Sequence, residues 1–310
     1  MEVVKDLDKW NFVDNSIVTI GTFDGVHRGH KKLLQKLIQI SKEKGGKSVV
    51  FTFEPHPRKV LFPDQTDLKL LSNLDEKTEL IEREKIDVLI VYPFTKAFSQ
   101  IEPEKFIQNI LVDKLKVKTL VVGYDHKFGK DRKGDINTFN AASGKYGFEI
   151  NEIPAEEIND INISSTRIRK ALFEGDIKTA NAFLGFNYFI NGIVVHGKNL
   201  AKKLNFPTAN IAIPDPDKLI PKNGVYLVGV ELEGFKGFGM MNVGTNPTTD
   251  KDEKLKLEVN IFNFDKDIYG RYIKVEFLER LRDEKKFNSI EELVNAIKND
   301  EIKCKRILNI

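Results

Sequence analysis

The chain has 310 residues, of which 41% are hydrophobic, 10% aromatic and 31% charged, with a formal net charge of +3. That length predicts about two ordinary domains, and the composition excludes intrinsic disorder, collagen-like repeats and disulfide-rich scaffolds. The single cysteine, Cys304, cannot form an intrachain disulfide, which is typical of a reducing compartment.

Acidic and basic residues are interspersed, as in the sequence ERE at 82–84, and no basic stripe indicates a nucleic-acid partner. Acids interrupt the N-terminal ten residues, which excludes a secretory signal. The apolar runs are far shorter than the ~18 residues that span a bilayer. We therefore expect a soluble cytoplasmic protein that binds neither membrane nor nucleic acid; the sequence leaves the oligomeric state open.

The first half alternates short apolar strands with amphipathic helices. Such alternation predicts a parallel α/β sheet covered by helices, of the Rossmann-like type, with ligands at the carboxyl ends of its strands. The predicted strands are 16–21, 48–53, 88–91 and 119–122, and the predicted helices lie around 33–40, 77–85 and 104–116.

The second half changes to a strand pattern with alternating apolar residues and Gly or Asn-Pro turns. This predicts a mostly antiparallel sheet or small barrel. A final helix is expected from Ser289, with Glu292 completing a capping box. The break between the halves is predicted near 184–187, and the predicted strands are 188–195, 225–231, 238–243, 255–264 and 272–277.

The first chemical motif is Gly-Thr-Phe-Asp-Gly-Val-His-Arg-Gly-His at 21–30, between a strand and a helix. A helix N-terminus attracts phosphate, two imidazoles add donors there, and Gly29 permits close approach of the backbone. A capped turn with two incidental histidines is the less specific alternative. Zinc binding by His27 and His30 is disfavoured because no third ligand has metal spacing nearby.

The sequence H-x-G-H resembles the nucleotidyltransferase superfamily. Further motifs, in order, resemble the bifunctional riboflavin kinase/FAD synthetase family, and together they cover nearly the whole chain. The resemblance implies an FMN adenylyltransferase domain at 1–185 and a riboflavin kinase domain at 186–310. The motifs are FTFEPHPR at 51–58, VGYDHKFG at 122–129, ISSTRIR at 163–169, FPTAN at 206–210, and Glu258 before the Tyr-Gly pair at 269–270.

For the first domain, the resemblance implies that His27, His30 and Arg169 act on ATP without a covalent intermediate. The ATP ligands implied there are Gly21, Phe23, Asp24, Gly29, Ser164 and Thr166, besides those three. The residues 163–169 also read as an N-cap for a helix ending at Gly175. Arg167 and Arg169 would oppose the dipole of that helix, and a bound triphosphate would resolve the conflict.

The implied flavin ligands are His56, Pro57, Asp125 and Arg280. From the residues alone, 55–57 form a stiff extended loop, and Asp125 is equally a turn former or a ligand. The family usually has an aromatic residue where His126 stands, which leaves the local flavin contact open.

For the second domain, Thr208 and Asn210 offer oxygen ligands two positions apart, which suits Mg²⁺ with ATP phosphates. The resemblance implies that Glu258 takes the proton of the riboflavin 5′-hydroxyl and that Gly197 and Lys202 bind ATP. Glu258 is expected on the strand face opposite Leu255, Leu257 and Val259, where a solvent-facing glutamate is the plainer reading.

The family pattern is not followed everywhere in this domain. Ala201 and Asn205 replace glycines of the nucleotide loop, and Asn260 replaces a common histidine. The leading hypothesis is an enzyme that makes FMN and then FAD from riboflavin and ATP. The alternative is that one module, more readily the kinase half, is inactive and serves as a flavin-binding or regulatory domain. A fragment of an aminoacyl-tRNA synthetase is disfavoured by the absence of a large basic surface.

Overall fold

The computed structural model describes residues 1–10, 15–64, 67–124, 126–154, 163–197, 207–245 and 255–310. The chain divides into two compact units, Met1–Ser165 and Thr166–Ile310. None of the helices in these described ranges is long and apolar enough to cross a membrane.

The first unit contains a six-stranded sheet in which every pair of neighbours is parallel. Its spatial order is β1-β4-β3-β2-β5-β6, so the predicted Rossmann-like fold class is confirmed. The strands are β1 (Glu2–Val4), β2 (Ser16–Ile20), β3 (Lys47–Glu54), β4 (Val88–Pro93), β5 (Val117–Gly123) and β6 (Glu149–Ile153).

Helices connect these strands as parallel pairing requires. Leu34, Leu37 and Ile40 are buried on the first helix, which confirms its predicted apolar face. The helices are α1 (Arg28–Glu43), α2 (Pro57–Leu61), α3 (Leu74–Arg83), α4 (Lys96–Ser99), α5 (Pro103–Phe106), a π-helical turn (Ile107–Val112), a 3₁₀ turn (Lys130–Arg132) and α6 (Ile136–Tyr146).

The second unit begins with two helices and continues into a closed antiparallel barrel of order β10-β11-β8-β7-β12-β9. This confirms the predicted barrel and its C-terminal helix. The elements are α7 (Ser165–Glu174), whose first residue belongs to the first unit, α8 (Ile177–Leu184), β7 (Phe189–Val195), β8 (Ala209–Ala212), β9 (Gly224–Leu232), β10 (Phe235–Thr245), β11 (Leu255–Ile261), β12 (Tyr272–Arg282) and α9 (Ile290–Leu308).

Several predicted element limits were wrong. The helix expected at 104–116 is the short α5 followed by the π-helical turn, β11 ends at Ile261, and β12 continues to Arg282. The short strands β1, β6 and β8 were not predicted, because pairing with a neighbour decides whether three to five residues become a strand. The extended loop expected around Pro57 instead begins α2 there, as proline suits the first turn of a helix.

The predicted capping box of the last helix is only half present. Ser289 Oγ accepts the N–H of Glu292 at 3.1 Å, as expected, but the carboxylate of Glu292 accepts the N–H of Asn288 instead of that of Ser289. A complete capping box occurs at α3, between Asn73 and Glu76.

Candidate active sites in the two units

The turn between β2 and α1 follows an unusual backbone path. Phe23, Gly25 and Val26 have φ values of 48°, 79° and 38°, all in the left-handed region. A Cβ added at Gly25 would lie 2.8 Å from Leu71 Cδ1, so both the backbone angle and the space require glycine here. Non-glycine residues with positive φ cost free energy and are found mainly where function fixes the backbone.

Asp24 is buried and braces this turn against the segment before α3. Its Oδ1 accepts the N–H groups of Leu71 at 2.9 Å and Ser72 at 3.1 Å, while Ser72 Oγ accepts the N–H of Gly25 at 3.0 Å. Ser165 Oγ donates to the carbonyl of Asp24 at 3.0 Å. The Asp24 carboxylate thus shapes the turn, and its contact with ATP stays a prediction. Sequence reasoning missed the hydrogen bond from Ser165 to Asp24.

His27 and His30 are brought together at the N-terminus of α1. Their ring centroids lie 3.7 Å apart with an interplanar angle of 15°, and His30 also packs edge-on against Phe23 at 5.2 Å. His27 is the N-cap, because its Nδ1 accepts the N–H of His30 at 3.4 Å. In neutral His27 this contact assigns the proton to Nε2, which leaves that nitrogen as the donor.

His30 is held in the neutral state. Its pKa lies well below the ordinary value of 6.5, mainly because burial disfavours the charged ring, and then because of the charges of His27 and Lys77. Its Nδ1 is shielded from solvent and has no hydrogen-bond partner among the described residues. A buried polar nitrogen without a partner is costly, so this position suits a polar group of a ligand.

A second histidine has the same local role at the neighbouring strand. His56 is buried and caps α2, with its Nδ1 accepting the N–H of Arg58 at 3.2 Å and Pro57 in the first turn. Strands β2 and β3 pair in parallel, so the helices after them begin at the same edge of the sheet. His56 and Pro57 therefore lie at the edge expected for a ligand, and their contact with flavin stays a prediction.

The aromatic position taken by His126 is still used for ring packing. Its imidazole stacks with Phe128 at 6.1 Å and Phe139 at 6.0 Å, beside the close Phe128–Phe139 stack at 4.1 Å. The departure from the family pattern thus preserves a planar side chain in this cluster.

The hydroxyl-rich segment starts α7 at Ser165, close to where it was predicted. Ser164, Thr166 and Arg167 are exposed, and Arg169 is half-buried in the second turn of the helix. The predicted placement of both arginines near a helix N-terminus is confirmed, whereas their binding of phosphate stays a prediction.

In the second unit, polar side chains form a row across the barrel. Glu258 on β11 is directly opposite Asn210 on β8 and Asn242 on β10. Opposite residues in antiparallel strands have Cβ atoms about 4.5–5.5 Å apart and point to the same face. Sequence reasoning missed Asn242, because only the strand register joins it to Glu258.

The prediction of which side chains of β11 face the core is confirmed at the centre of the strand. Leu257 and Val259 are buried and Glu258 is half-buried, whereas Leu255, at the end of the strand, is 43% exposed. Glu258 therefore lies outside the apolar barrel core.

The Thr208–Asn210 segment is fixed by two contacts. A Cβ at Gly197 would collide with the side-chain amide of Asn210, so glycine lets that amide lie against the backbone. Asn260 Nδ2 donates to the carbonyl of Pro207 at 2.8 Å, immediately before Thr208. Asn260 was noted in the sequence only as a departure; the structure gives it a contact with Pro207, the residue before the predicted metal ligand Thr208.

The donor set suits Mg²⁺ held jointly with a nucleotide. The described part of the chain contains no group of three His, Cys, Asp or Glu side chains that could hold a metal ion. Thr208 and Asn210 instead provide a hydroxyl and an amide oxygen, which are hard donors that leave positions for phosphate oxygens and water.

Arg280, a predicted flavin ligand, is engaged within the barrel. Its Nη2 donates to the carbonyl of Asn223 at 2.6 Å and to Asp283 at 2.7 Å, and its Nε contacts the Tyr226 hydroxyl at 3.3 Å. The hydrogen bond from Arg280 also lowers the pKa of Asp283. These contacts assign Arg280 a structural role, and its binding of flavin stays a prediction.

Four predicted or noted positions lie outside the described residues: Asp125, Ala201, Lys202 and Asn205.

Comparison with known proteins matches a different family model to each half of the chain. The model of the FAD synthetase family matches residues 11–167, and the model of the riboflavin kinase family matches residues 184–308. Proteins named bifunctional riboflavin kinase/FMN adenylyltransferase are similar over nearly the full length. The one from Bacillus subtilis is 39% identical, covering 92% of this chain and 90% of its own; the one from Listeria monocytogenes is 37% identical, covering 95% and 92%.

A solved structure has the same fold from end to end. A crystal structure from Streptococcus pneumoniae, described as a macrolide-efflux protein, has a TM-score of 0.88 and 33% identity, covering 98% of both chains. That description differs from the names of the curated relatives. The fold likeness and the two family models are independent of the name given to the Streptococcus protein.

Proposed function

Because this chain belongs to the family of bifunctional riboflavin kinases/FMN adenylyltransferases, we propose that it phosphorylates riboflavin to FMN and then adenylylates FMN to FAD, using ATP in both steps. The observation that carries this conclusion is that each half of the chain matches a different one of the two enzymes. A chain with one half reduced to flavin binding is not favoured, because the relatives that match both halves carry both activities in their names.

The kinase reaction fits the polar row of the barrel. The oxygen of the riboflavin 5′-hydroxyl attacks the γ-phosphorus of ATP, the bond to the β-phosphate oxygen breaks, and ADP leaves. Glu258 accepts the proton of the hydroxyl as it attacks, which is the part of a general base. Asn210, directly opposite Glu258, holds the nucleotide end of the same reaction.

Thr208 and Asn210 would hold Mg²⁺, and the ion would neutralise charge on the ATP phosphates. The chain's own part is to keep these two donors beside the base. Asn260 secures the segment through Pro207, and Gly197 leaves space for the Asn210 amide. Gly197 and Lys202 are the further ATP ligands that we propose from the family resemblance.

The adenylyl transfer needs no proton acceptor. An oxygen of the FMN phosphate, already anionic, attacks the α-phosphorus of ATP, and pyrophosphate leaves with the electrons of the broken bond. His27 and His30 donate hydrogen bonds to phosphate oxygens at the N-terminus of α1, where the backbone N–H groups add positive potential. The family resemblance adds Arg169 as a phosphate ligand, with Gly21, Phe23, Asp24, Gly29, Ser164 and Thr166 around the nucleotide.

For the flavin we propose contacts with His56, Pro57, Asp125 and Arg280, again from the family resemblance. The division into functional domains that we propose is 1–185 for adenylyl transfer and 186–310 for the kinase. A reducing cytoplasm suits a chain with one cysteine, Cys304, which is buried.

The deciding experiment is liquid chromatography of the products made by the purified chain. Riboflavin with Mg·ATP should give FMN and then FAD, and FMN with Mg·ATP should give FAD directly. FAD from FMN without FMN from riboflavin would support a flavin-binding kinase half instead. Neither product from either substrate would contradict the proposed function.

A further inference from the structure

Lys77, on the first unit's helix α3, has an unusual environment for a lysine. It is only 3% exposed, and its Nζ donates to the carbonyl of Phe53 at 3.5 Å, at the carboxyl end of β3. Among the residues that the structure describes, this long hydrogen bond is the only one made by its side chain. An ammonium group with three donors is expensive to bury unless anionic or polar partners surround it.

The backbone that carries Lys77 is fixed beside the histidine turn. Asp24 accepts the N–H groups of Leu71 and Ser72, directly before α3. The capping box of Asn73 and Glu76 then fixes the first turn of the helix, and Glu76 is fully buried. Lys77 follows at once, so its position is set by the same contacts that shape the turn before His27.

The electrostatics agree with this placement. Burial lowers the pKa of Lys77, while the charges of Glu54 and Asp24 act in the opposite direction. Lys77 is in turn among the charges that lower the pKa of His30. Lys77 therefore places a positive charge, offset in part by Glu54 and Asp24, near an imidazole whose Nδ1 has no partner among the described residues. A buried ammonium group beside such a ring nitrogen suits a phosphate.

We propose that Lys77 is a catalytic residue of adenylyl transfer and that its ammonium group contacts a phosphoryl oxygen of the bound ATP next to His30. This inference rests on the proposed adenylyltransferase function. As the oxygen of the FMN phosphate bonds to the α-phosphorus and the bond to the β-phosphate breaks, Lys77 offsets negative charge on the departing pyrophosphate and keeps its own proton. The FMN phosphate also carries anionic oxygens, so it is the other group that Lys77 could contact, and the test below distinguishes the two.

The sequence alone gives no indication of this role. In the segment Asp-Glu-Lys-Thr-Glu at 75–79, a lysine between acids resembles a residue on the solvated face of a helix. Only the burial of Glu76 and Lys77 distinguishes it.

The test is the replacement Lys77→Met, which keeps the length of the side chain and removes its charge. With FMN and ATP as substrates, kcat/KM for ATP should fall about 10- to 100-fold, as expected for the loss of a charge-assisted hydrogen bond. FMN formation from riboflavin should be unchanged. The matched control is Lys42→Met, in the last turn of α1 and exposed, which should leave FAD formation unchanged.

Separate KM values for ATP and FMN identify the phosphate that Lys77 contacts. A defect confined to FMN would overturn the contact with ATP, and FAD formation within two-fold of the wild type would overturn any catalytic role. Near-UV circular dichroism and the urea midpoint check the folding of the variant, because removing Lys77 leaves the charges of Glu54 and Asp24 without it. If Lys77→Met does not fold, Lys77→Gln and Lys77→Arg replace it, and the proposal requires that Arg retain more activity than Gln.

Different results would contradict the proposed function and the role of Lys77. A wild-type chain that makes no FAD from FMN would contradict the adenylyltransferase function. A wild-type chain that makes FAD while Lys77→Met does so equally well would contradict only the role of Lys77.

Discussion

The two units offer ATP two different surroundings. In the first, the candidate residues lie in turns and helix starts at the carboxyl ends of parallel strands, and His27 and His56 are buried and cap helices. In the second, Asn242, Glu258 and Asn210 form a half-buried row across neighbouring antiparallel strands. The first gathers backbone N–H groups and imidazoles at helix starts, and the second aligns amide side chains beside the carboxylate of Glu258.

The difference follows from the chemistry that each unit is proposed to perform. Adenylyl transfer starts from an anionic phosphate and needs positive potential but no base. Phosphorylation of a hydroxyl needs a proton acceptor and a metal-bound triphosphate. Mutations at either site should therefore affect one reaction and spare the other, which gives four ways to test the comparison.

The largest effect is expected from replacing Glu258, the proposed general base in the barrel. Glu258→Ala should reduce FMN formation about 10²- to 10⁴-fold, because the proton acceptor is lost. FAD formation from supplied FMN should be unchanged, as measured by chromatography. Glu231→Ala, which removes an ion pair with Lys236 in the β9–β10 hairpin, is the matched control and should preserve both reactions.

The reverse pattern is expected from the first unit. His30→Ala should lower FAD formation from FMN about 10²- to 10³-fold through loss of a hydrogen bond to phosphate. FMN formation from riboflavin should persist, and His30→Gln, which keeps a donor, should retain more FAD formation than His30→Ala. Loss of both reactions in a folded His30→Ala protein would contradict two separate sites.

A smaller effect should appear in the pH dependence of the kinase alone. Asn242→Asp places a carboxylate directly opposite Glu258, in a face that also includes Lys256, Asn210 and Asn260. A like charge so close raises the pKa of a carboxyl group by about one unit or more. The acid limb of kcat/KM for riboflavin should move to higher pH, whereas Asn242→Ser should not move it. The pH profile of FAD formation serves as the internal reference.

The smallest effect concerns the segment of the predicted metal ligands. Asn260→Ala removes the hydrogen bond to the Pro207 carbonyl, which is worth about 1 kcal/mol at most in an exposed position. The KM for ATP in the kinase reaction should rise roughly five-fold, with kcat for FAD formation unchanged. Asn260→His, the residue common in the family, should restore the wild-type value. An unchanged KM in Asn260→Ala would show that this contact does not position Thr208 and Asn210.

The histidine motif could be found in the sequence because its residues are contiguous. A strand, a glycine-containing turn and a helix start follow one another within 21–30, so local rules place His27 and His30 together. The structure then added what local rules omit: the brace from Asp24 to Leu71 and Ser72, and the neutral state of His30 through burial.

The barrel row could be predicted only in part. Alternation indicated which side of β11 faces the core, so Glu258 was placed correctly outside it. Its neighbour Asn242 could not be inferred, because a shift of one residue in the pairing of β10 and β11 would have turned that side chain to the other face. For Arg280 the sequence suggested a flavin ligand but did not reveal its contacts with Asn223, Tyr226 and Asp283.

By itself, the sequence determined the two fold classes, the order of the motifs and the helix start that gathers the imidazoles, since periodicity, glycine turns and caps act over a few residues. Tertiary structure alone decided the partner of Glu258, the contact of Asn260 and the burial of Lys77. Those depend on strand register and on helix docking, where residues far apart in the chain share one environment and exclude water. Burial of charged groups costs free energy only in the folded chain, so the protonation and reactivity of buried side chains such as Lys77 depend on the tertiary structure.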